Sequence, residues 1–134
     1  MKIILVIALL AAFATADYTP DWKSCSSSSD PWIPTSVVID KKPVPNVTAN
    51  IHVCGNFQDT VIIASFKLQV KLAGIVVLNQ VVPLNKQEVF PGSVYCFDHS
   101  AFIPIIAKGN FDITFVLQEE DTNGIGCVNL NFTI

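Results

Sequence analysis

Two-residue alternation of large apolar and polar side chains is the feature that most restricts how this chain can fold. One example is the segment 111–118, where Phe111, Ile113, Phe115 and Leu117 are large and apolar, Asp112 and Thr114 lie between them, and Gln118 follows. Successive side chains of a β-strand point to opposite faces, so this pattern predicts a strand with one buried face. No segment shows a convincing 3.6-residue period, and the chain is therefore predicted to be all-β.

Seven segments of this kind are separated by turn signals. The predicted strands are 36–40, 47–57, 61–72, 75–84, 94–103, 111–118 and a last strand that carries Val128, Leu130, Phe132 and Ile134 on one face. Residues 17–35 and 85–92 are predicted to be loops. Short strands with turns every 8 to 12 residues predict a β-sandwich, but composition does not decide between a solid core and a hollow one.

The first 16 residues have the order of a secretory signal peptide. Lys2 is the charged region, residues 3–12 are apolar, and Ala14-Thr15-Ala16 has the form of a cleavage site. The apolar run is shorter than the roughly 20 residues of a membrane span. We therefore expect a signal peptide at 1–16, a single mature domain at 17–134, and a protein that is secreted or lies in the endolysosomal lumen.

Charge excludes several classes of partner. All eight basic residues are Lys, and loss of Lys2 would leave seven of them against 11 acidic residues, a formal charge of −4. A nucleic-acid-binding protein normally carries a basic stripe that includes Arg. We expect no nucleic-acid partner, and recognition of phosphate by an Arg fork is excluded.

Four cysteines lie in the predicted mature domain, and an even number in an exported chain predicts two disulfides. They are Cys25, Cys54, Cys96 and Cys127, and the residues alone allow three connectivities. No two of them form a C-x-x-C motif, so a zinc or redox motif is not indicated, and no metal or cofactor is expected.

Candidate catalytic and metal-binding residues are few. Asp98-His99-Ser100 contains the residue types of a hydrolase triad, but neighbours on a strand point to opposite faces and cannot relay a proton. The other histidine is His52, and there is no G-x-S-x-G motif. We therefore expect both histidines to be structural and the protein not to be an enzyme. The acidic run 119–121 could bind calcium, although a solvated hairpin turn is the preferred interpretation.

Two sequons are present. Asn46-Val47-Thr48 lies in a predicted loop after Pro45, and Asn131-Phe132-Thr133 lies on the last predicted strand. Both asparagines are candidate glycosylation sites, and the loop position of Asn46 is the better one.

A series of short motifs, specific by its order rather than by any one member, covers about residues 21–134. In chain order the motifs are Trp22-x-x-Cys25, Val38-Ile39-Asp40, Lys42-Pro43-Val44-Pro45, Cys54-Gly55-Asn56, Val70-Lys71-Leu72-Ala73-Gly74-Ile75, Pro91-Gly92, Phe102-Ile103-Pro104, Gly109-Asn110-Phe111-Asp112-Ile113 and the segment from Gly126 to Ile134. The series resembles the ML lipid-recognition domain family. That family includes the Niemann-Pick-type sterol carrier and the phosphatidylglycerol/phosphatidylinositol transfer proteins.

The resemblance implies an immunoglobulin-like sandwich whose sheets splay apart around a lipid. It implies a lipid-cavity wall made of residues that face inward by alternation, namely Phe66, Leu68, Val70, Phe111, Phe115 and Phe132. The function implied is transfer of phosphatidylglycerol or phosphatidylinositol between membranes by a monomer that contacts each membrane transiently. Sterol transport is one alternative, and a secreted immunoglobulin-like recognition module without a cavity is another.

The resemblance also bears on the cysteines. The family pairs the positions of Cys25 and Cys127, which leaves Cys54 and Cys96 as the second pair, on strands that are neighbours in the family. Family members usually carry a local cysteine pair around the loop between the fourth and fifth strands. Here Asn85 and about Gln87 occupy that place, so the chain departs from the pattern there.

Overall fold

Eight β-strands form the protein in a computed structural model that describes residues 17–106 and 108–134. In chain order they are β1 (Asp21–Ser24), β2 (Trp32–Ile39), β3 (Val47–Phe57), β4 (Val61–Leu72), β5 (Ile75–Val89), β6 (Val94–Ile103), β7 (Asn110–Glu119) and β8 (Gly124–Thr133). The predicted signal peptide lies outside the described residues. Within those residues no helix has the length and hydropathy of a membrane span.

The strands form two antiparallel sheets that pack face to face. One sheet has the order β1-β8-β7-β4-β5 and the other β2-β3-β6. The alternation seen in the sequence is realised, because Ala49, Ile51 and Val53 of β3 are buried while the residues between them are exposed or half-buried. The all-β sandwich predicted from this alternation is confirmed.

One side of the sandwich is closed by the N-terminal segment. Tyr18 pairs with Ile39 of β2, and a few residues later β1 pairs with β8 of the other sheet. Cys25 then forms a disulfide with Cys127 on β8, 102 residues away. In the chain-entropy treatment, a cross-link that closes about 100 residues stabilises the fold by about 4.7 kcal/mol.

The opposite side is bordered by the two edge strands β5 and β6. A second disulfide joins Cys54 of β3 to Cys96 of β6, and these two residues are direct partners in the strand register. The side with β5 and β6 therefore lacks a covalent link between the sheets among the described residues, while the side with β1 and β8 lies next to the link from Cys25 to Cys127.

Three strand assignments from the sequence need correction. The segment 17–35, expected to be a loop, contains β1 and the first half of β2, which begins at Trp32 and has a register shift between Pro34 and Ser36. The segment 85–92, also expected to be a loop, continues β5 as far as Val89. In each case pairing with a neighbouring strand, β8, β3 or β4, forms a strand that the local residue pattern does not indicate.

Trp32 fixes the spacing of the two sheets near the closed side. Its side chain is fully buried between Gly55 of β3 and Gly126 of β8. A Cβ at either glycine would overlap the atoms of Trp32, so only a residue without a side chain fits at these two positions.

Candidate functional site

A cluster of aromatic rings packs between the two sheets in the interior of the sandwich. Phe97 of β6 stacks on Phe66 of β4 with ring centroids 4.9 Å apart, and it meets Phe115 of β7 edge-on at 5.7 Å. Trp32 adds a further ring at 5.9 Å from Phe97. Offset and edge-to-face aromatic pairs are stabilising beyond the area that they bury. These four residues, Trp32, Phe66, Phe97 and Phe115, are called the aromatic cluster below, and they fill the space between the sheets where they lie.

A cavity of about 600 Å³ lies next to the aromatic cluster, towards the ends of β4 and β6 that carry Leu72 and Ile103. Its walls come from both sheets and from the turn after β6. The lining residues are Ile51, Leu68, Val70, Leu72, Val77, Leu78, Gln80, His99, Ser100, Ala101, Phe102, Ile103, Pro104, Ile106, Phe111, Ile113 and Phe132. Nearly all of these side chains are apolar, and among them only His99 is titratable.

Four of the six residues expected at a lipid cavity line this space. They are Leu68, Val70, Phe111 and Phe132. The other two, Phe66 and Phe115, do not line it; their rings pack against each other in the aromatic cluster, with centroids 5.6 Å apart. All six point inward, as alternation predicts, but two of them are part of the packed core.

The mouth of the cavity is strongly apolar and was missed by sequence reasoning. Val77 and Leu78 of β5 are exposed, as are Phe102 and Ile106 at and beyond the end of β6, with Phe102 61% and Ile106 88% accessible. A sequence signal for the second pair exists, since apolar residues fill 101–106 without alternation. These four residues, Val77, Leu78, Phe102 and Ile106, are called the mouth rim below.

His99 is the polar group that lies deepest in the cavity wall. Its ring meets Phe66 edge-on with centroids 5.8 Å apart and Phe115 at 6.1 Å. Desolvation lowers the pKa of His99, because a charged imidazolium would face apolar walls. The neutral form is therefore favoured, and the cavity carries no charge while His99 stays neutral.

Asp98 lies on the outer face of the three-stranded sheet and has a different partner from the one suggested by the run Asp98-His99-Ser100. It accepts a hydrogen bond from Nδ1 of His52, which is its direct neighbour on β3. Ser100 donates to Oδ1 of Asn50. Pairing of β3 with β6 therefore assembles a polar group that the sequence order did not reveal.

A second depression of about 690 Å³ lies at the opposite end of β4, beside the turn between β7 and β8. Its lining includes Glu88, Glu119, Glu120 and Asp121. Glu120 pairs with Lys86 at 2.8 Å, and Asp121 accepts hydrogen bonds from Asn123. The acidic run thus lies in a hairpin turn in which two of its carboxylates already have partners.

The two sequon asparagines differ in their surroundings. Asn46 is exposed in a turn with a φ of 62°. Asn131 is half-buried on β8, and its side-chain amide donates to Oδ1 of Asn129. Access for a glycosylating enzyme is therefore better at Asn46.

Three solved structures share this arrangement of strands. Chicken MD-1 complexed with lipid IVa aligns with a TM-score of 0.60 and 18% identity, over 88% of this chain and 96% of that one. A Niemann-Pick type C2 protein from the Japanese carpenter ant aligns with a TM-score of 0.57 and 11% identity, over 85% and 98%. The fold is that of the ML lipid-recognition domains. The C-terminal domain of wzt also aligns, with a TM-score of 0.63 and 12% identity over 87% and 79%. No protein-family model and no curated protein sequence matches the chain.

Proposed function

We propose that this protein binds a lipid in the cavity between its sheets and carries it between membranes, without catalysing a reaction. The observation that carries the proposal is the apolar cavity of about 600 Å³, which is open to solvent at the mouth rim. Pockets that hold one small ligand usually measure about 300–1,000 Å³. A cavity of this size favours a carrier over a recognition module with a solid core.

The lining supports burial of hydrocarbon and not of charge. Each buried CH₂ group contributes roughly 0.8 kcal/mol, so an apolar tail needs few polar contacts to be held. The lining residues include no Lys, Asp or Glu, and the pKa of His99 is lowered. We therefore place the lipid tail among Leu68, Val70 and Phe132, and the polar head group at the mouth.

Phosphatidylglycerol or phosphatidylinositol is the ligand class that we propose. The order of motifs along the chain supports it, and a solved protein of the same fold is complexed with a lipid, lipid IVa. A sterol has little polar surface and would use the same walls, so it is the alternative that the experiment must separate.

We propose that the mouth rim contacts the membrane during exchange. Large exposed apolar patches on soluble domains commonly mark binding surfaces for membranes or proteins. The two sheets of one chain supply the cavity walls, and we propose that the carrier acts as a monomer. Two disulfides suit a secreted protein or one of the endolysosomal lumen.

The test combines lipid identification with transfer. Lipids extracted from the purified protein are identified by mass spectrometry, and movement of labelled phosphatidylglycerol, phosphatidylinositol and cholesterol between vesicles is then measured. We expect a co-purifying phospholipid and faster phospholipid transfer. Transfer of cholesterol without transfer of phospholipid would identify a sterol as the ligand. The absence of both bound lipid and transfer would overturn the carrier function.

A further inference from the structure

The outer face of the three-stranded sheet carries a compact group of four side chains that the lipid cavity does not use. Cys54 and Cys96 are direct partners on β3 and β6, and their Cα atoms lie 4.1 Å apart. Two residues further along the same face, His52 and Asp98 are direct partners as well. The group is open to solvent, since the side chains of His52 and Asp98 are 50% and 71% exposed.

The imidazole of His52 joins the two pairs. Its Nδ1 donates a hydrogen bond to the carboxylate of Asp98, and its Nε2 lies 3.4 Å from Sγ of Cys54. A carboxylate on one ring nitrogen orients the imidazole and leaves the other nitrogen directed at its target. In this case the target is one sulfur of a disulfide.

A metal site does not explain this group. The possible ligand atoms of His52, Cys54 and Cys96 lie within 4.8 Å of one another, but both sulfurs are bonded to each other. A metal is bound by the thiolate form of cysteine, which a disulfide does not offer. The chemistry available to the oxidised group is thiol–disulfide exchange.

We propose that the disulfide between Cys54 and Cys96 is an exchange site for an external dithiol, with His52 as the acid that protonates the departing sulfur. Cys96 is exposed and Cys54 is half-buried beside His52. The external thiolate therefore attacks Sγ of Cys96, and Cys54 is the leaving group. Asp98 is a positioning residue, because it acts through the ring of His52.

The step balances with a dithiol as the reductant. Its first thiolate forms a mixed disulfide with Cys96 as the bond between Cys54 and Cys96 breaks, and Cys54 departs with the electron pair. The protonated imidazole of His52 gives its Nε2 proton to the Cys54 thiolate. The second thiol of the dithiol then attacks the mixed disulfide and releases Cys96, which takes up that thiol's proton. The dithiol is oxidised, and two protein thiols are formed.

The strand pairing keeps Cys54 and Cys96 adjacent after reduction, so that the disulfide can form again in the folded protein. Backbone pairing of β3 with β6 extends on both sides of the disulfide, from Val47 opposite Ile103 to Asn56 opposite Val94. The two thiols would therefore stay side by side after reduction. Cys25 and Cys127 offer an internal comparison, because the two histidines of the chain lie elsewhere: His52 lies beside Cys54, and His99 lines the cavity.

The experiment measures reduction of each disulfide in the oxidised protein. Dithiothreitol is added, free thiols are alkylated at timed intervals, and peptide mapping follows all four cysteines. We expect Cys54 and Cys96 to become reduced before Cys25 and Cys127. In His52→Gln the reduction of Cys54 and Cys96 should slow about a hundredfold, the lower end of what a positioned acid contributes, while reduction of Cys25 and Cys127 is unchanged. Asp98→Asn should slow the same reaction less.

Two outcomes would overturn the proposal. One is that the disulfide between Cys54 and Cys96 is reduced at the same rate in His52→Gln as in the unmodified protein, while the two proteins melt at the same temperature. The other needs no variant: the monothiol glutathione should give a mixed disulfide on Cys96, and a mixed disulfide on Cys54 would contradict the assigned leaving group. A general loosening of the variant would accelerate reduction of both disulfides, and this separates a structural effect from loss of the acid.

Discussion

The ring of Phe66 stacks on the ring of Phe97 across the gap between the sheets, with centroids 4.9 Å apart and planes inclined by 24°. Phe66 belongs to β4 of the five-stranded sheet and Phe97 to β6 of the other. Two residues along β4, Leu68 already lines the cavity. This pair therefore marks the level at which a packed core changes into a cavity wall.

Replacement of Phe66 with Ala should extend the cavity into the aromatic cluster. Truncation of a buried Phe to Ala costs about 3–5 kcal/mol, and Phe66 is almost fully buried. We expect that loss in urea unfolding. Phe102→Ala is the matched control, because Phe102 is largely exposed at the mouth rim, and its effect on stability should be small. Equal losses in the two variants would show that Phe66 does not pack in a core.

Replacement of Val70 with Trp should block the cavity. Val70 is half-buried and lines the open space, so a larger side chain can occupy the volume that a lipid tail would fill. We expect lost lipid uptake with little change in melting temperature. Lys67→Trp, which adds the same side chain on the outer face of the same strand, should keep uptake.

A different result at Val70 would have a clear meaning. Insertion of extra volume into a packed core typically costs about 1–3 kcal/mol. A sharp drop in the melting temperature of Val70→Trp, with bound lipid unaffected, would mean that Val70 is ordinary core and that the lipid lies elsewhere.

Alternation predicted the strands well where it was uninterrupted. The bounds of β3, β4 and β6 agree with the sequence, because each has a buried face and is flanked by turn residues. β1 was missed since its four residues, Asp21–Ser24, show no buried face, and pairing with β8 is what holds them extended. Local pattern cannot reveal a strand that exists only through its neighbour.

The site was harder to predict for two physical reasons. Alternation assigns Phe66 and Val70 to the same inner face of β4, but the distance between the sheets decides that one is core and the other wall. The contact of His52 with Asp98 depends on the register of β3 against β6. A direct pairing of Cys54 with Cys96 fixes that register, and it places Asp98 opposite His52.

Glycosylation should occur at Asn46 when the chain passes through a eukaryotic secretory pathway. Asn46 is exposed in a turn with positive φ, a conformation that asparagine tolerates better than most residues. Thr48→Ala is the better test than a change at Asn46, because it removes the sequon and leaves the turn residue in place. We expect loss of one glycan mass in Thr48→Ala and no loss in Thr133→Ala. The reverse pattern would assign the glycan to Asn131.

Acidification should weaken both the fold and lipid binding through His99. Charge arithmetic alone, with both histidines gaining protons, favours faster transfer between anionic vesicles as pH falls from 7 to 5. The structure changes this expectation, because desolvation lowers the pKa of His99 in the folded protein. In the unfolded chain a histidine has a pKa of about 6.5.

The sign follows from proton binding. Below pH 6.5 the unfolded chain binds a proton at position 99 that the folded protein resists, so stability falls as pH drops through this range and levels off below the folded pKa. A charge on His99 would also face the lipid tail, and no other lining residue is titratable and able to compensate that charge. We expect a lower urea midpoint and weaker lipid retention at pH 5 than at pH 7. His99→Gln should flatten both trends, and His52→Gln is the matched control because His52 lies on the outer face. A pH dependence that is the same in the original protein and in His99→Gln would remove His99 as its cause.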